Sequence, residues 1–174
     1  RRRMLTSFIK WGFSKTNLYQ EAGWCWRELP VPVIAAVHGV CYGGGLQIAL
    51  AADMRIATPD ADLSIMEAKW GLIPDMSGSV SLRELLPMDH AMRLTMTGER
   101  FSAAEALRSG LIHETCRPGK LDEAAAPVID AALHGAPRAA ASIKRVIAAC
   151  EAGSPDADAV SLEADFLAQR TSAE

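Results

Sequence analysis

No apolar run in the 174-residue chain approaches the ~20 residues that a membrane-crossing helix requires, and no leader-like pattern opens it. A membrane span is therefore not expected, and a cytoplasmic setting is. Cysteine is sparse: Cys25, Cys41, Cys116 and Cys150 lie far apart and form no C-x-x-C pair. His38 and Cys41 are the only neighbouring pair of metal-ligand type, and two ligands do not make a zinc site, so neither a metal centre nor a disulfide framework is expected. Charge of one sign is also lacking. A formal net charge of -3 gives no electrostatic reason to expect nucleic acid or an anionic membrane as a partner. The opening Arg1-Arg2-Arg3 run reads as a solvated helix start.

What is present is an ordinary globular composition, 49% hydrophobic and 22% charged, long enough for one domain with a proper core. Leu18, Ala22, Cys25/Trp26 and Leu29 recur at helical spacing and predict a helix over 18–29, while Trp11-Gly12-Phe13 reads as a loop. Pro30 and Pro32 end the helix, and Val33–Val37 is a continuous apolar run, as in a strand buried on both faces. His38 to Gly45 reads as a glycine-rich turn with His38 packed. Leu46 to Ala52, polar only at Gln47 and closed by Asp53, reads as a central buried helix. Arg55–Thr58 predicts a strand, 59–62 a turn, and Leu63–Ile65 a short extended piece. Helices are expected to open at Ser77-Gly78-Ser79 and, capped by Asp89, to run to Thr97. Ser102 with Glu105 has the spacing of a capping box. Gly110 ends that helix, Leu111-Ile112-His113 begins a last strand, and helices follow near 121–133, 138–150 and 157–169. His90, His113 and His134 read as surface positions.

The segment Gly39-Val40-Cys41-Tyr42-Gly43-Gly44-Gly45-Leu46-Gln47 carries the chemistry. Glycines allow a close backbone approach and positive φ. The first turn of the following helix offers N–H groups without internal partners, and its dipole favours developing negative charge. Those are the attributes of half an oxyanion hole. A dinucleotide fingerprint would need glycine where Ile48 stands, a phosphate loop would need Lys-Ser/Thr where Leu46-Gln47 follows, and no G-x-S-x-G elbow occurs. Taken alone, the triple glycine is also compatible with a plain tight turn. Glu67, among apolar neighbours, loses hydration, which suits a carboxyl to proton transfer; it also reads as a surface partner of Lys69 or Arg55. Asp75, eight residues on, reads as a helix cap or as a second acid-base group.

Taken together these segments resemble the crotonase (enoyl-CoA hydratase/isomerase) superfamily. The resemblance runs through Pro32–Gly39, the triple glycine, Ala52–Ala57, Met66-Glu67, Gly71–Pro74, Leu94–Gly98, Ala103–Ala106 and Gly110–Ile112, in the family's order. It implies an α/β fold, a spiral of ββα turns over 1–119 followed by a C-terminal helical trimerisation region over 120–174, assembled as a homotrimer or hexamer. It further implies an acyl-CoA thioester as substrate, with no other cofactor and no metal. The Gly44 amide then holds the thioester oxygen while an enolate forms, a contribution of about 3–4 kcal/mol for each such donor. Gly43, Tyr42 and Trp70 are the implied substrate-lining residues, although Trp70 reads equally as core. Two departures matter. The second oxyanion donor, much of the CoA surface and the terminal helix of the family have no counterpart here, as in a fragment. Gln47 stands where hydratases carry a glutamate, and an amide orients a group without exchanging protons. Glu67 matches the remaining acid-base position and Asp75 a position occupied by aspartate in dienoyl-CoA isomerases. These residues lean towards double-bond isomerisation. The alternatives are a hydratase in which Gln47 orients the water, and a crotonase-fold binding or scaffold protein without chemistry.

Overall fold

The computed structural model describes residues 16–134 and 137–151. The expectations for Arg1–Arg3, for Trp11–Phe13 and for a helix over 157–169 lie outside the described residues. The elements, in order, are α1 (Leu18–Glu28), β1 (Ile34–Val37), β2 (Val40–Tyr42), α2 (Gly44–Leu50), β3 (Met54–Ala57) and β4 (Asp62–Ser64). A 3-10 turn (Glu67–Trp70) precedes α3 (Gly78–Leu85), α4 (Met88–Thr97), β5 (Arg100–Ser102), α5 (Ala103–Ser109) and β6 (Glu114–Thr115). Helices α6 (Leu121–His134) and α7 (Pro137–Glu151) follow.

Among the described residues six short strands form two three-stranded sheets. One has the order β1-β3-β6 and is parallel throughout; the other has the order β2-β4-β5, with β2 and β4 parallel and β5 antiparallel. Twice in succession the chain lays one strand in each sheet and then coils: β1, β2, α2 and again β3, β4, the 3-10 turn and α3. This is the expected spiral of ββα turns. Leu46, Leu50, Leu63, Ile65, Leu82, Phe101, Leu111 and Ile112 fill its core, each large side chain worth roughly 1.5–3 kcal/mol on burial. The described residues fall into two compact units. One holds Val33–Ala125 with the described residues up to Glu28; the other holds Leu29–Pro32 with those from Ala126 onward, where Lys144 Nζ donates to the Val31 carbonyl at 3.1 Å.

Local chemistry explains most element ends. The Ser102 hydroxyl accepts the Glu105 amide at 3.3 Å and the Glu105 carboxylate accepts the Ser102 amide at 2.8 Å, so the capping box forms at the start of α5. Gly110 closes that helix in the left-handed region at φ 84°. Four expectations need correction. Val40–Tyr42 is a strand, not part of a turn, because it pairs in register with Asp62–Ser64. Asp89 lies inside the first turn of α4, whose cap is Pro87. The last strand begins only at Glu114, since Leu111 and Ile112 are drawn into the core. His38 is exposed, not packed.

Arg55 is 2% exposed and forms no ion pair among the described residues. Its guanidinium donates to the carbonyls of Ala52 (2.5 Å), Leu111 (2.6 Å) and Leu50 (3.4 Å), which closes the carbonyl end of α2. Burial pulls its pKa down to about 10, with Asp53 opposing that shift and Arg27 adding to it, so it remains a cation at neutral pH. Beside it the Arg55 amide donates to His113 Nδ1 at 3.0 Å, and the His113 amide donates to the Arg55 carbonyl at 2.9 Å.

Partial loss of hydration, and then the Arg55 charge, hold the imidazole of His113, an exposed residue, below its ordinary value, with the bond from the Arg55 amide opposing the shift. The folded state therefore binds fewer protons here than the unfolded chain. Its stability is complete above the ordinary histidine value of roughly 6.5 and declines as pH falls through that value. The expected result is a melting temperature that drops between about pH 7.5 and about pH 5.5, and drops less in His113→Asn, which keeps an acceptor for the Arg55 amide. Equal acid sensitivity of the two proteins would remove His113 as a cause.

Candidate active site

Parallel pairing brings the candidate residues to one place. Strands β2 and β4 run side by side with Tyr42 opposite Ser64, and the Gly43 amide continues the ladder to the Ser64 carbonyl at 2.9 Å. Both strands thus end at the same edge of their sheet. Beyond it one chain turns into α2 at Gly44 and the other reaches Glu67 at the head of the 3-10 turn. The carboxyl ends of parallel strands are where α/β folds place their ligand sites.

Gly43 takes φ 54° and ψ -125°, a conformation in which a side chain is strained. A Cβ there would also sit 3.4 Å from Glu67 Oε1. At Gly44 a Cβ would come within 2.8 Å of Met76 Sδ, so a larger residue there would require the flexible Met76 side chain to move aside. The first α2 amide to find a helical carbonyl is Gln47, which donates to Gly43 O at 3.0 Å. The amides of Gly44, Gly45 and Leu46 precede it in the first turn, where a helix provides no acceptor.

Glu67 is 6% exposed and forms no ion pair among the described residues; Lys69 and Arg55 do not meet it. Its Oε1 accepts Gln47 Nε2 at 2.6 Å, whereas its Oε2 is buried without a hydrogen-bond partner. A bare buried carboxyl oxygen costs on the order of 1–3 kcal/mol or more. Groups left in that state call for a functional explanation. The Gln47 amide is held at its other end: its oxygen accepts the Met76 amide at 2.8 Å and the Gly78 amide at 3.1 Å.

The structure thus gathers Gly43, Gly44, Gln47 and Glu67. Asp75 is half-buried next to Met76, and its carboxyl has no hydrogen bond or ion pair among the described residues. Tyr42 is occupied elsewhere. Its hydroxyl donates to Asp62 Oδ2 at 2.5 Å, and Arg100 pairs with the same carboxylate while lying 5.7 Å from the Tyr42 ring centre. Arg100 and then Tyr42 hold Asp62 below the usual carboxylate range, and the bond to Asp62 raises the Tyr42 phenol. Trp70 is 73% exposed, so the reading of it as core is corrected: it stands on the surface as the last residue of the 3-10 turn. Met76 and Gly78, which fix Gln47 through main-chain amides, were not found by sequence reasoning, because backbone donors carry no residue-type signal.

An apolar groove of about 470 Å3 runs along the β1 edge and is lined by Trp26, Val33–Val37, Cys41, Gly45 and Ile48 among others. Burial raises the Cys41 thiol, which keeps it protonated and unreactive. Among the described residues no three His, Cys, Asp or Glu side chains gather as they would around a metal ion. No described helix is long and apolar enough to cross a membrane.

Comparison with known proteins gives a consistent picture. The family model described as enoyl-CoA hydratase/isomerase matches residues 13–174. Carnitinyl-CoA dehydratase of Salmonella typhi is 40% identical over 119 residues, 68% of this chain and 46% of that protein. A Thermobifida fusca structure in complex with acetoacetyl-CoA aligns with TM-score 0.83 and 31% identity, over 90% of this chain and 61% of that one. An enoyl-CoA hydratase structure from Polaromonas sp. JS666 gives TM-score 0.79 and 32% identity, over 87% and 58%. The chain spans about half the length of the curated relatives it matches.

Proposed function

The chain belongs to the enoyl-CoA hydratase/isomerase family within the crotonase superfamily, and from that premise we propose that it acts on an acyl-CoA thioester by stabilising an enolate and moving a double bond. The observation that carries this reading is the Glu67 carboxyl: buried, bare at Oε2, and set against the glycine turn. In the proposed reaction the Gly44 amide donates to the thioester oxygen. The carboxylate takes the Cα proton, the C–H electron pair moves into the enolate, and the same carboxyl returns the proton at Cγ. Proton transfer of this kind contributes roughly 10²- to 10⁴-fold. Asp75 assists the relay, Tyr42, Gly43 and Trp70 border the bound substrate, and Gln47 orients. The reaction draws on no metal or redox group. The assembly proposed with this activity is a homotrimer or hexamer, and exposed Ile143 and Ile147, one turn apart on α7, offer apolar surface for contact between copies.

A second reading has support in the relatives named hydratase and dehydratase: addition of water to a 2-enoyl-CoA, with Gln47 orienting the water. One assay separates the two. Incubation with a 3-enoyl-CoA is expected to yield the 2-enoyl form, and 3-hydroxyacyl-CoA formed at least as fast from a 2-enoyl-CoA would select the hydratase reading instead.

A further inference from the structure

The two oxygens of Glu67 stand in different surroundings. Oε1 accepts the Gln47 side-chain amide at 2.6 Å, and Oε2 has no partner and is buried. An amide nitrogen only donates, so this bond requires Oε1 to stay unprotonated. Nor can the Gln47 amide be turned round. Its oxygen receives two main-chain N–H groups, from Met76 and Gly78, and exchanging O for N would set donor against donor at both. The space is closed as well: a Cβ on Gly78 would lie 2.6 Å from Gln47 Oε1 and 2.7 Å from its Cγ.

We infer that Gln47 is a positioning residue that holds Oε1 of Glu67 as a fixed acceptor and so assigns all proton exchange with the substrate to Oε2. The inference rests on the proposed function and deepens it. In the isomerisation, the C–H bond at Cα breaks, its electron pair passes to the thioester carbonyl, and the proton goes to Oε2. The carbonyl then re-forms as the enolate pair makes a double bond between Cα and Cβ. The former Cβ–Cγ π pair takes the proton at Cγ as the O–H bond breaks and leaves its pair on Oε2. One oxygen thus takes and returns the proton on one face of the substrate. The chain 76–78, through Gln47, sets the direction in which that oxygen points.

Two measurements test this. The glutamines are Gln20, Gln47 and Gln169, so glutamine-selective 15N labelling yields few side-chain amide signals. The Gln47 pair, assigned by its loss in Gln47→Met, is expected to shift in Glu67→Ala. Gln47→Met is expected to lower kcat for isomerisation by about 10- to 100-fold with KM within about twofold, the mark of lost orientation rather than lost binding. If Gln47→Met does not fold, Gly78→Ala displaces the same amide and is expected to produce the same signal shift and loss of kcat. A Gln47 signal indifferent to Glu67, or a folded Gln47→Met with full kcat while Glu67→Gln is inactive, overturns the inference. Full activity in Glu67→Gln would instead overturn the functional reading beneath it.

Discussion

Replacing Glu67 with glutamine is expected to reduce the proposed isomerase turnover by about 10³-fold, within the range that a positioned acid-base group supplies. The substitution keeps the shape of the side chain and removes only its ability to exchange a proton. Gln47 Nε2 still finds an oxygen to donate to, so the fold around the site should survive, with a melting temperature close to that of the parent. This separates chemistry from stability. The thioester should still bind through the glycine turn, leaving KM little changed while kcat collapses, as expected when an interaction acts only in the transition state. Retention of more than about a tenth of the parental kcat would show that Glu67 is not the proton carrier.

The largest structural effect is expected at Arg55. Arg55→Leu fills similar space but leaves the carbonyls of Leu50, Ala52 and Leu111 without their donor in a site that is 2% exposed. Each unpaired buried acceptor costs roughly 1–3 kcal/mol. The cation also faces the carbonyl end of α2, where the helix dipole is negative. Together the loss should reach about 3 kcal/mol or more, a fall of roughly 6–12 °C in melting temperature for a protein of this size. Arg55→Lys, a single point donor in place of a planar fork, should recover only part of it. A fall under about 2 °C in Arg55→Leu would mean that the three carbonyls do not depend on the guanidinium.

Much of this architecture was legible in the residues, and the parts that were not share a cause. The period of Leu18, Ala22 and Cys25 located α1, the Val33–Val37 run located β1, and the Ser102/Glu105 spacing located the start of α5, because each is decided by contacts within one turn or one strand. β2 was missed because three residues between glycines have no alternation to read; only the pairing with Asp62–Ser64 makes them a strand. Arg55 looks like a surface residue until the carbonyls of α2 and Leu111, the latter 56 residues away, are seen to meet it. Within the site, Gly44 and Glu67 were singled out by residue type. The bond from Gln47 to Glu67 spans 20 positions and depends on the parallel register of β2 and β4. The binding of Tyr42 to Asp62 and the exposure of Trp70 likewise follow from packing that no local pattern specifies.

The most direct measurement is deuterium incorporation from solvent into Cα of a saturated acyl-CoA, which reports enolate formation whether or not a double bond moves. The parent protein is expected to label Cα, and Glu67→Gln to label it at least about 100-fold more slowly. Unlabelled thioester recovered from the parent after prolonged incubation, or equal labelling by both proteins, would contradict the convergence of the Gly44 amide and the Glu67 carboxyl on one carbon–carbonyl unit.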